Sequence, residues 1–108
     1  MSETLVKIQA LARAGKILVS AHGYDELAAD DIFFAEILDG LADAVPVEDY
    51  PDASKGPSVL ALQTDDNGRS VHVVWGIPKG KTKPAVLITA YRPDPAKWSA
   101  DFRKRKLP

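Results

Sequence analysis

Two histidines, His22 and His72, are the residues of this chain best suited to move a proton at neutral pH. An imidazole has an ordinary pKa of about 6.5, so its surroundings decide whether it acts as acid or base. His72 lies in an alternating strand pattern, on the face opposite Trp75, where it either meets a substrate or packs as a hydrogen-bonded core or rim residue. His22 either takes part in chemistry, or caps a helix or hydrogen-bonds the backbone.

Tyr91 and Arg92 stand side by side at the end of an apolar strand pattern, directly before Pro93. Side chains at such a place emerge at the end of the sheet, and an arginine there can hold a phosphate through two hydrogen bonds without losing its charge. A neighbouring tyrosine can stack on a base or share a proton. The alternative is structural: Tyr91 packs at the rim, and Arg92 pairs with Asp94 or Asp101.

A basic run near the end of the sequence, Arg103-Lys104-Arg105-Lys106, is a candidate nucleic-acid-binding surface, and so is Arg69. Each phosphate that it neutralised would add about −0.7 (single strand) or −0.9 (duplex) to the salt dependence of affinity. The alternative is a solvated run that only favours a helix end.

Neither a metal nor a cofactor is expected from the residue types present. The chain has no cysteine and no His-x-x-x-His pair, and it contains no phosphate-loop motif. The acidic cluster Asp25, Glu26, Asp30 and Asp31 is interpreted as a capped, solvated helix end.

The composition indicates one globular domain, residues 1–108, since apolar residues make up 45% of the chain and charged residues 27%. Net charge is −1, but residues 1–50 carry −7 and residues 51–108 carry +6. Two explanations fit this asymmetry. The halves form two solvated faces that attract each other, or the basic half forms an anion-binding surface. Charges interrupt the apolar residues of the first segment, so neither signal peptide nor membrane span is expected, and the expected location is the cytoplasm.

The first half predicts helices. Apolar residues at helical spacing predict a helix over 3–14, capped by Ser2 or Thr4. A short helix up to Asp30 follows, and then a third helix that Asp30 or Asp31 caps and that stops at Gly40.

The second half predicts strands. Period-two alternation and turn residues indicate strands near 45–50, 59–64, 71–77 and 85–91, after an earlier short strand at 17–19. The pair Asn67-Gly68 supplies the positive φ values of a tight hairpin turn. Asp94 as cap and Pro95 in the first turn predict a C-terminal helix, which Trp98 and Phe102 would anchor to the sheet.

Helices that are segregated from hairpin-linked strands indicate the α+β class. The expected architecture has N-terminal helices packed on an antiparallel sheet of about four strands, with a C-terminal helix.

The stretch Ile88-Thr89-Ala90-Tyr91-Arg92-Pro93-Asp94-Pro95-Ala96-Lys97-Trp98 resembles the C-terminal signature of a bacterial domain-of-unknown-function family of short proteins. Three further stretches match that layout: 19–22, 47–51 and 68–74. This family is similar, by proposal, to the RelE and MqsR ribonuclease toxins.

The resemblance implies metal-independent cleavage of RNA, in which the 2′-hydroxyl attacks the adjacent phosphate. Such chemistry needs a base, a cation and an acid. The resemblance then implies His22 or His72 as base or acid, Arg92 as phosphate stabiliser and Tyr91 as stacking or proton-sharing group. The implied partners are RNA and a separate antitoxin protein.

Two positions depart from the family, because Glu26 and Asp30 stand where cations are usual. The alternative function is therefore a degenerate, non-catalytic domain of the same fold that binds a protein partner or forms a homodimer.

Overall fold

The computed structural model describes residues 2–107. Its elements are α1 (Glu3–Arg13), β1 (Ile17–Val19), α2 (Ala21–Ala29), α3 (Phe34–Gly40), a 3₁₀ turn (Leu41–Asp43), β2 (Val45–Tyr50), β3 (Ser58–Thr64), β4 (Ser70–Gly76) and β5 (Ala85–Tyr91). The strands form one sheet in the order β1-β5-β4-β3-β2. The predicted α+β class is confirmed.

The sheet has five strands and is mixed, which corrects the expected antiparallel sheet of about four strands. Strands β2 to β5 form an antiparallel meander, whereas β1 pairs in parallel with β5, Ile17 facing Ala85. A parallel partner must come from far along the chain, so the local alternation that reveals hairpins carries no sign of this pairing.

One face of the sheet builds the core against the helices. Alternate residues of β3, β4 and β5 point to this face, and Ile8 of α1 and Ile37 of α3 pack there with no exposed surface. The buried Gln63 side chain accepts from Trp75 Nε1 at 2.9 Å and donates to the Ile37 carbonyl at 2.7 Å. This face is closed, so any open sheet surface must lie on the other side.

The starts of the helices differ in whether a side chain caps them. The Ser2 hydroxyl accepts from the Leu5 N–H at 3.0 Å, so of the two predicted caps of α1, Ser2 or Thr4, the structure has Ser2. The predicted cap of the third helix at Asp30 or Asp31 is wrong. Asp30 ends α2, Asp31 has a left-handed φ of 52°, and α3 starts only at Phe34 without a side-chain cap.

The hairpin between β3 and β4 is present, but its turn differs from the predicted two-residue form. Gly68 N–H donates to the Asp65 carbonyl and Asp65 N–H to the Arg69 carbonyl, both at 3.0 Å. Only Gly68, and not Asn67, has a positive φ, 76°. This pattern is the longer turn that ends in a left-handed glycine.

The predicted C-terminal helix does not form in residues 94–107, the last part of the chain that the structure describes. The Asp94 carboxylate accepts from the Ala96 N–H, but only one turn forms. Downstream, the Ser99 hydroxyl accepts from the Lys104 N–H and the Asp101 carboxylate from the Arg103 N–H. These local bonds compete with helical hydrogen bonds, so residues 97–106 fold back on themselves as a small loop, the C-terminal loop.

Candidate functional site

The second face of the sheet carries the polar residues that could do chemistry. His72 faces Leu62 and Tyr91 across the neighbouring strands, and Glu48 faces Leu60, so these side chains share this face. The C-terminal loop covers the part of this face around His72, through Trp98 and Phe102. Towards the start of β5 the face is more open, and Ile88 is 38% exposed there. We call the polar group His72, Tyr91, Glu48, Tyr50 and Arg105 the polar cluster.

His72 is fully buried beneath the C-terminal loop. Its ring meets Tyr91 and Trp98 edge to face, with centroid distances of 5.3 and 4.4 Å. Nε2 lies 2.8 Å from the Phe102 carbonyl oxygen, which can only accept, so Nε2 must carry the proton. In the neutral ring Nδ1 is therefore an acceptor.

The Tyr91 hydroxyl lies 3.2 Å from this Nδ1 and donates a hydrogen bond to it. Burial lowers the pKa of His72, although the Phe102 carbonyl and the nearby Glu48 carboxylate act the other way. Burial also raises the pKa of Tyr91. Both pKa shifts favour the neutral forms, so at neutral pH the pair consists of a phenol and an unprotonated imidazole.

Beside this pair, Arg105 is held by Glu48 through two hydrogen bonds of 2.7 and 3.0 Å. The guanidinium also lies over the Trp98 ring, 4.7 Å from its centroid. The hydrogen bond from Arg105 holds the pKa of Glu48 below its usual value, and the Tyr50 hydroxyl donates to the same carboxylate. The Arg105 side chain remains 63% exposed, so it can meet a ligand.

Arg92 lies on the other side of Tyr91, and its guanidinium is occupied. Nη2 pairs with the buried carboxylate of Asp65 at 2.8 Å, and Nη1 donates to the Ser70 carbonyl at 3.4 Å. Burial pulls the pKa of Asp65 upward, but hydrogen bonds from Arg69 N–H, Arg92 and Asn67 N–H outweigh it, so the pKa is lowered. Arg92 thus ties the end of β5 to the hairpin turn, and its partner is Asp65 rather than Asp94 or Asp101.

The remaining candidates are solvent-exposed. His22, on α2, has a side chain that is 65% exposed, and its contact is Glu26 at 3.6 Å. Arg69 is exposed in the hairpin turn, and Arg103, Lys104 and Lys106 are exposed in the C-terminal loop. The structure therefore brings together His72, Tyr91 and Arg105, and no hydrogen bond or ion pair among residues 2–107 joins His22 to them.

A family model described as "Domain of unknown function (DUF4258)" matches residues 19–92. The chain belongs to this family. No curated protein and no solved structure matches the chain. The DUF4258 segment contains His22, Glu48, His72, Tyr91 and Arg92, whereas the C-terminal loop that covers His72 lies outside it.

Sequence reasoning missed three partners within the DUF4258 segment: Glu48, Tyr50 and Asp65. Glu48 and Tyr50 are two residues apart on β2, a spacing that places both on one face of a strand. Asp65 precedes Asp66-Asn67-Gly68, and an aspartate at the first position of a turn often accepts from amides further on, as here. These features of the sequence indicate where the three side chains lie. They do not indicate which arginine each carboxylate pairs with.

The described part of the chain holds no group of three His, Asp or Glu side chains arranged as metal ligands. Across residues 2–107, each helix is too short or too polar to cross a membrane.

We expect folding to weaken as the pH falls from 7.5 to 5.5. The pKa of His72 is lower in the folded than in the unfolded chain, so below about 6.5 the unfolded state binds more protons. The loss is at most about 1.4 kcal/mol per pH unit for one proton. Urea unfolding at each pH measures it, and Asp65 and Glu48 titrate below this window because their ordinary values are 3.8 and 4.5.

The matched variants are His72→Gln, which should remove the pH dependence, and His22→Gln, which should keep it because that side chain is largely exposed. A wild-type stability that stays constant over this window would contradict the neutral, Nε2-protonated His72.

Arg92→Ala should lower the free energy of unfolding by about 3 kcal/mol, because it leaves the Asp65 carboxylate buried without its cation. In the double variant with Asp65→Asn, part of this loss should return, which a double-mutant cycle by urea unfolding measures. A loss below about 1 kcal/mol without coupling would show that the pair does not hold the turn.

Proposed function

We propose that this DUF4258 chain cleaves RNA through the Tyr91–His72 pair, with no metal in the reaction. The observation that carries the proposal is the hydrogen bond from the Tyr91 hydroxyl to His72 Nδ1, beside the exposed face of Arg105. The resemblance of residues 88–98 to a family similar to the RelE and MqsR toxins supports RNA as substrate.

The pair acts as a base. The substrate's 2′-hydroxyl gives its proton to the Tyr91 oxygen as the Tyr91 proton passes to His72 Nδ1. The 2′-oxygen attacks the adjacent phosphorus, the bond to the 5′-oxygen breaks, and a 2′,3′-cyclic phosphate forms, while the 5′-oxygen takes a proton from water. The hydroxide that this water leaves takes the extra proton back from His72 Nδ1 through the Tyr91 hydroxyl, which restores the neutral pair.

The tautomer supports this direction of transfer. The Nε2 proton of His72 is bound to the Phe102 carbonyl, so Nδ1 offers a lone pair. If Tyr91 gave a proton away instead, its oxyanion would face that lone pair and be repelled. The imidazolium that forms in the base direction gains from the nearby Glu48 carboxylate, which acts to raise the pKa of His72.

Arg105 takes the role of phosphate stabiliser in this proposal, instead of Arg92. Arg92 is bound to Asp65, and its Nε is buried without a hydrogen-bond partner, so the guanidinium does not reach solvent freely. Arg105 keeps 63% of its side chain exposed while Glu48 fixes its position. A fixed cation needs little reorganisation when charge develops on the phosphate.

The test is Tyr91→Phe, which removes the hydroxyl and keeps the ring. With a 5′-labelled single-stranded RNA, the cleavage rate should fall by about 10²–10⁴-fold, the usual contribution of acid–base catalysis. Growth arrest upon expression should be relieved, as expected of a toxin that a separate antitoxin restrains.

The matched control is Tyr24→Phe, at a tyrosine on α2 that is 68% exposed, and it should cleave at the wild-type rate. An oligonucleotide with a 2′-deoxy residue at the cleaved position should resist cleavage. A wild type that neither cleaves RNA nor arrests growth, or a fully active Tyr91→Phe, would sink the proposal.

The second candidate function is self-association, and the open apolar part of the same face favours it. Val86 faces Leu18 and Gly76, and the Ile88 side chain lies over Gly76. Leu18 is 58% exposed and Ile88 38%, and Val86 and Ile88 line a cavity of about 500 Å³. Exposed apolar patches of this kind mark interaction sites.

Sedimentation over a range of concentrations tests this function. We expect a salt-insensitive dimer without RNA affinity, which Ile88→Lys dissociates because it would bury a charge. Val6→Lys, at a residue of α1 that is 47% exposed, is the matched control and should remain dimeric. A wild type that is monomeric at all concentrations would exclude self-association.

A further inference from the structure

Three lysines converge at the end of the sheet opposite to His72 and Tyr91. Lys16 precedes β1, and Lys81 and Lys83 lie in the loop before β5. The Ala85 N–H donates to the Lys16 carbonyl at 3.0 Å, which holds the starts of the two parallel strands side by side. These residues line an open groove of about 700 Å³, the lysine groove.

The lysine groove is strongly cationic. Its lining residues are Gly15, Lys16, Ile17, Leu18, Gly80, Lys81, Thr82, Lys83 and Pro84, and none is acidic. In residues 2–107, no ion pair engages any of its three lysines, whereas Lys7, Arg92 and Arg105 each have an acidic partner within 4.0 Å. Folding therefore leaves these charges available to a ligand.

The ammonium groups of Lys16 and Lys83 lie close together, and their mutual repulsion is unfavourable. Hydrogen-bonding contact with the Lys83 side chain, and then Coulomb repulsion from it, lower the pKa of Lys16. An anion between the two groups would relieve this repulsion.

The backbone leaves room for that anion. Apart from the glycine and its two chain neighbours, no residue has an atom within 4 Å of the position that a Cβ would take at Gly15 or at Gly80, so both glycines face open space. The Lys81 N–H donates to the Pro78 carbonyl at 3.0 Å, which closes a turn and sets the loop in place. A bulky anionic group can thus approach without displacing protein atoms.

We propose that the lysine groove binds the phosphodiester backbone of a single-stranded nucleic acid. Lysine ammonium groups are point charges that suit sequence-independent phosphate contacts. A protein partner is less well matched, because protein interfaces are anchored by Trp, Tyr and Arg and are poor in Lys, and the groove has no aromatic or Arg side chain.

This site is distinct from the polar cluster. Ala85 and Tyr91 stand at opposite ends of β5, about 20 Å apart at roughly 3.3 Å per residue. The groove is therefore a contact for the strand and takes no part in the cleavage step. Binding of a single strand in the groove does not depend on the proposed function. Only a preference for RNA over DNA rests on that function.

The test is the salt dependence of binding to a labelled single-stranded oligodeoxynucleotide, which lacks the 2′-hydroxyl and cannot be cleaved by the proposed chemistry. Fluorescence anisotropy gives the affinity between 50 and 200 mM salt, on the order of the range in which such contacts are lost. Lys16→Gln combined with Lys83→Gln should reduce the slope of log affinity against log salt by about 1.4, since each single-strand phosphate contributes about 0.7.

The matched control combines Arg13→Gln with Lys97→Gln, which removes the same charge from two exposed positions that do not line the groove and should leave the slope unchanged. An equal slope in the wild type and the Lys16/Lys83 double variant would overturn the proposal. So would binding of poly-glutamate as tightly as the oligonucleotide, which would assign the groove to an acidic protein partner.

The two proposals fail separately. If RNA is not cleaved but the slope falls in the double variant, the groove stands and the catalytic proposal fails. If RNA is cleaved and the slope does not change, the Tyr91–His72 chemistry stands and the groove has no role in binding.

Discussion

The hydrogen bond from His72 Nε2 to the Phe102 carbonyl is the constraint on which the polar cluster depends. It joins the centre of the sheet to the C-terminal loop, 30 residues later, at 2.8 Å. The loop that this bond anchors buries the imidazole, and burial keeps the ring neutral although the bond itself acts to raise the pKa of His72. The bond also makes Nδ1 the acceptor for the Tyr91 hydroxyl. One contact thus sets the burial, the tautomer and the proton direction of the pair. The Trp98 ring, over which Arg105 lies, packs against the same imidazole.

The two arginines nearest to Tyr91 illustrate how a cation is made available or withdrawn. Both pair with a carboxylate, but Asp65 is buried and takes Arg92 into the hairpin turn, whereas Glu48 holds Arg105 at the surface. A phosphate could approach Arg105 without breaking its pair, while it would have to break a buried pair to reach Arg92. Arg92, which directly follows β5 in the sequence, is therefore less accessible to a phosphate than Arg105.

Sequence patterns predicted the elements well where the signal is local. The alternation of apolar and polar residues predicted β2 to β5, and the position of Ser2 predicted the start of α1. Both signals come from residues that are neighbours in the sequence. The parallel β1–β5 pair could not be predicted, since it joins strands that lie far apart in the sequence. The fold of residues 97–106 was missed for another reason: the hydrogen bonds of Ser99 and Asp101 compete locally with those of a helix. Of the site, His72 and Tyr91 could be named in advance, but their contact required the register of β4 against β5.

The charge asymmetry between the two halves of the chain has a partial structural explanation. If mutual attraction during folding accounted for it, the basic residues of the second half would pair with acids of the first. Among residues 2–107 the Arg105–Glu48 ion pair does so, but the lysine groove does not. Unpaired like charges that stand together destabilise a fold slightly and raise the local concentration of anions. Attraction between the two halves therefore accounts for the position of Arg105 but not for that of the three groove lysines.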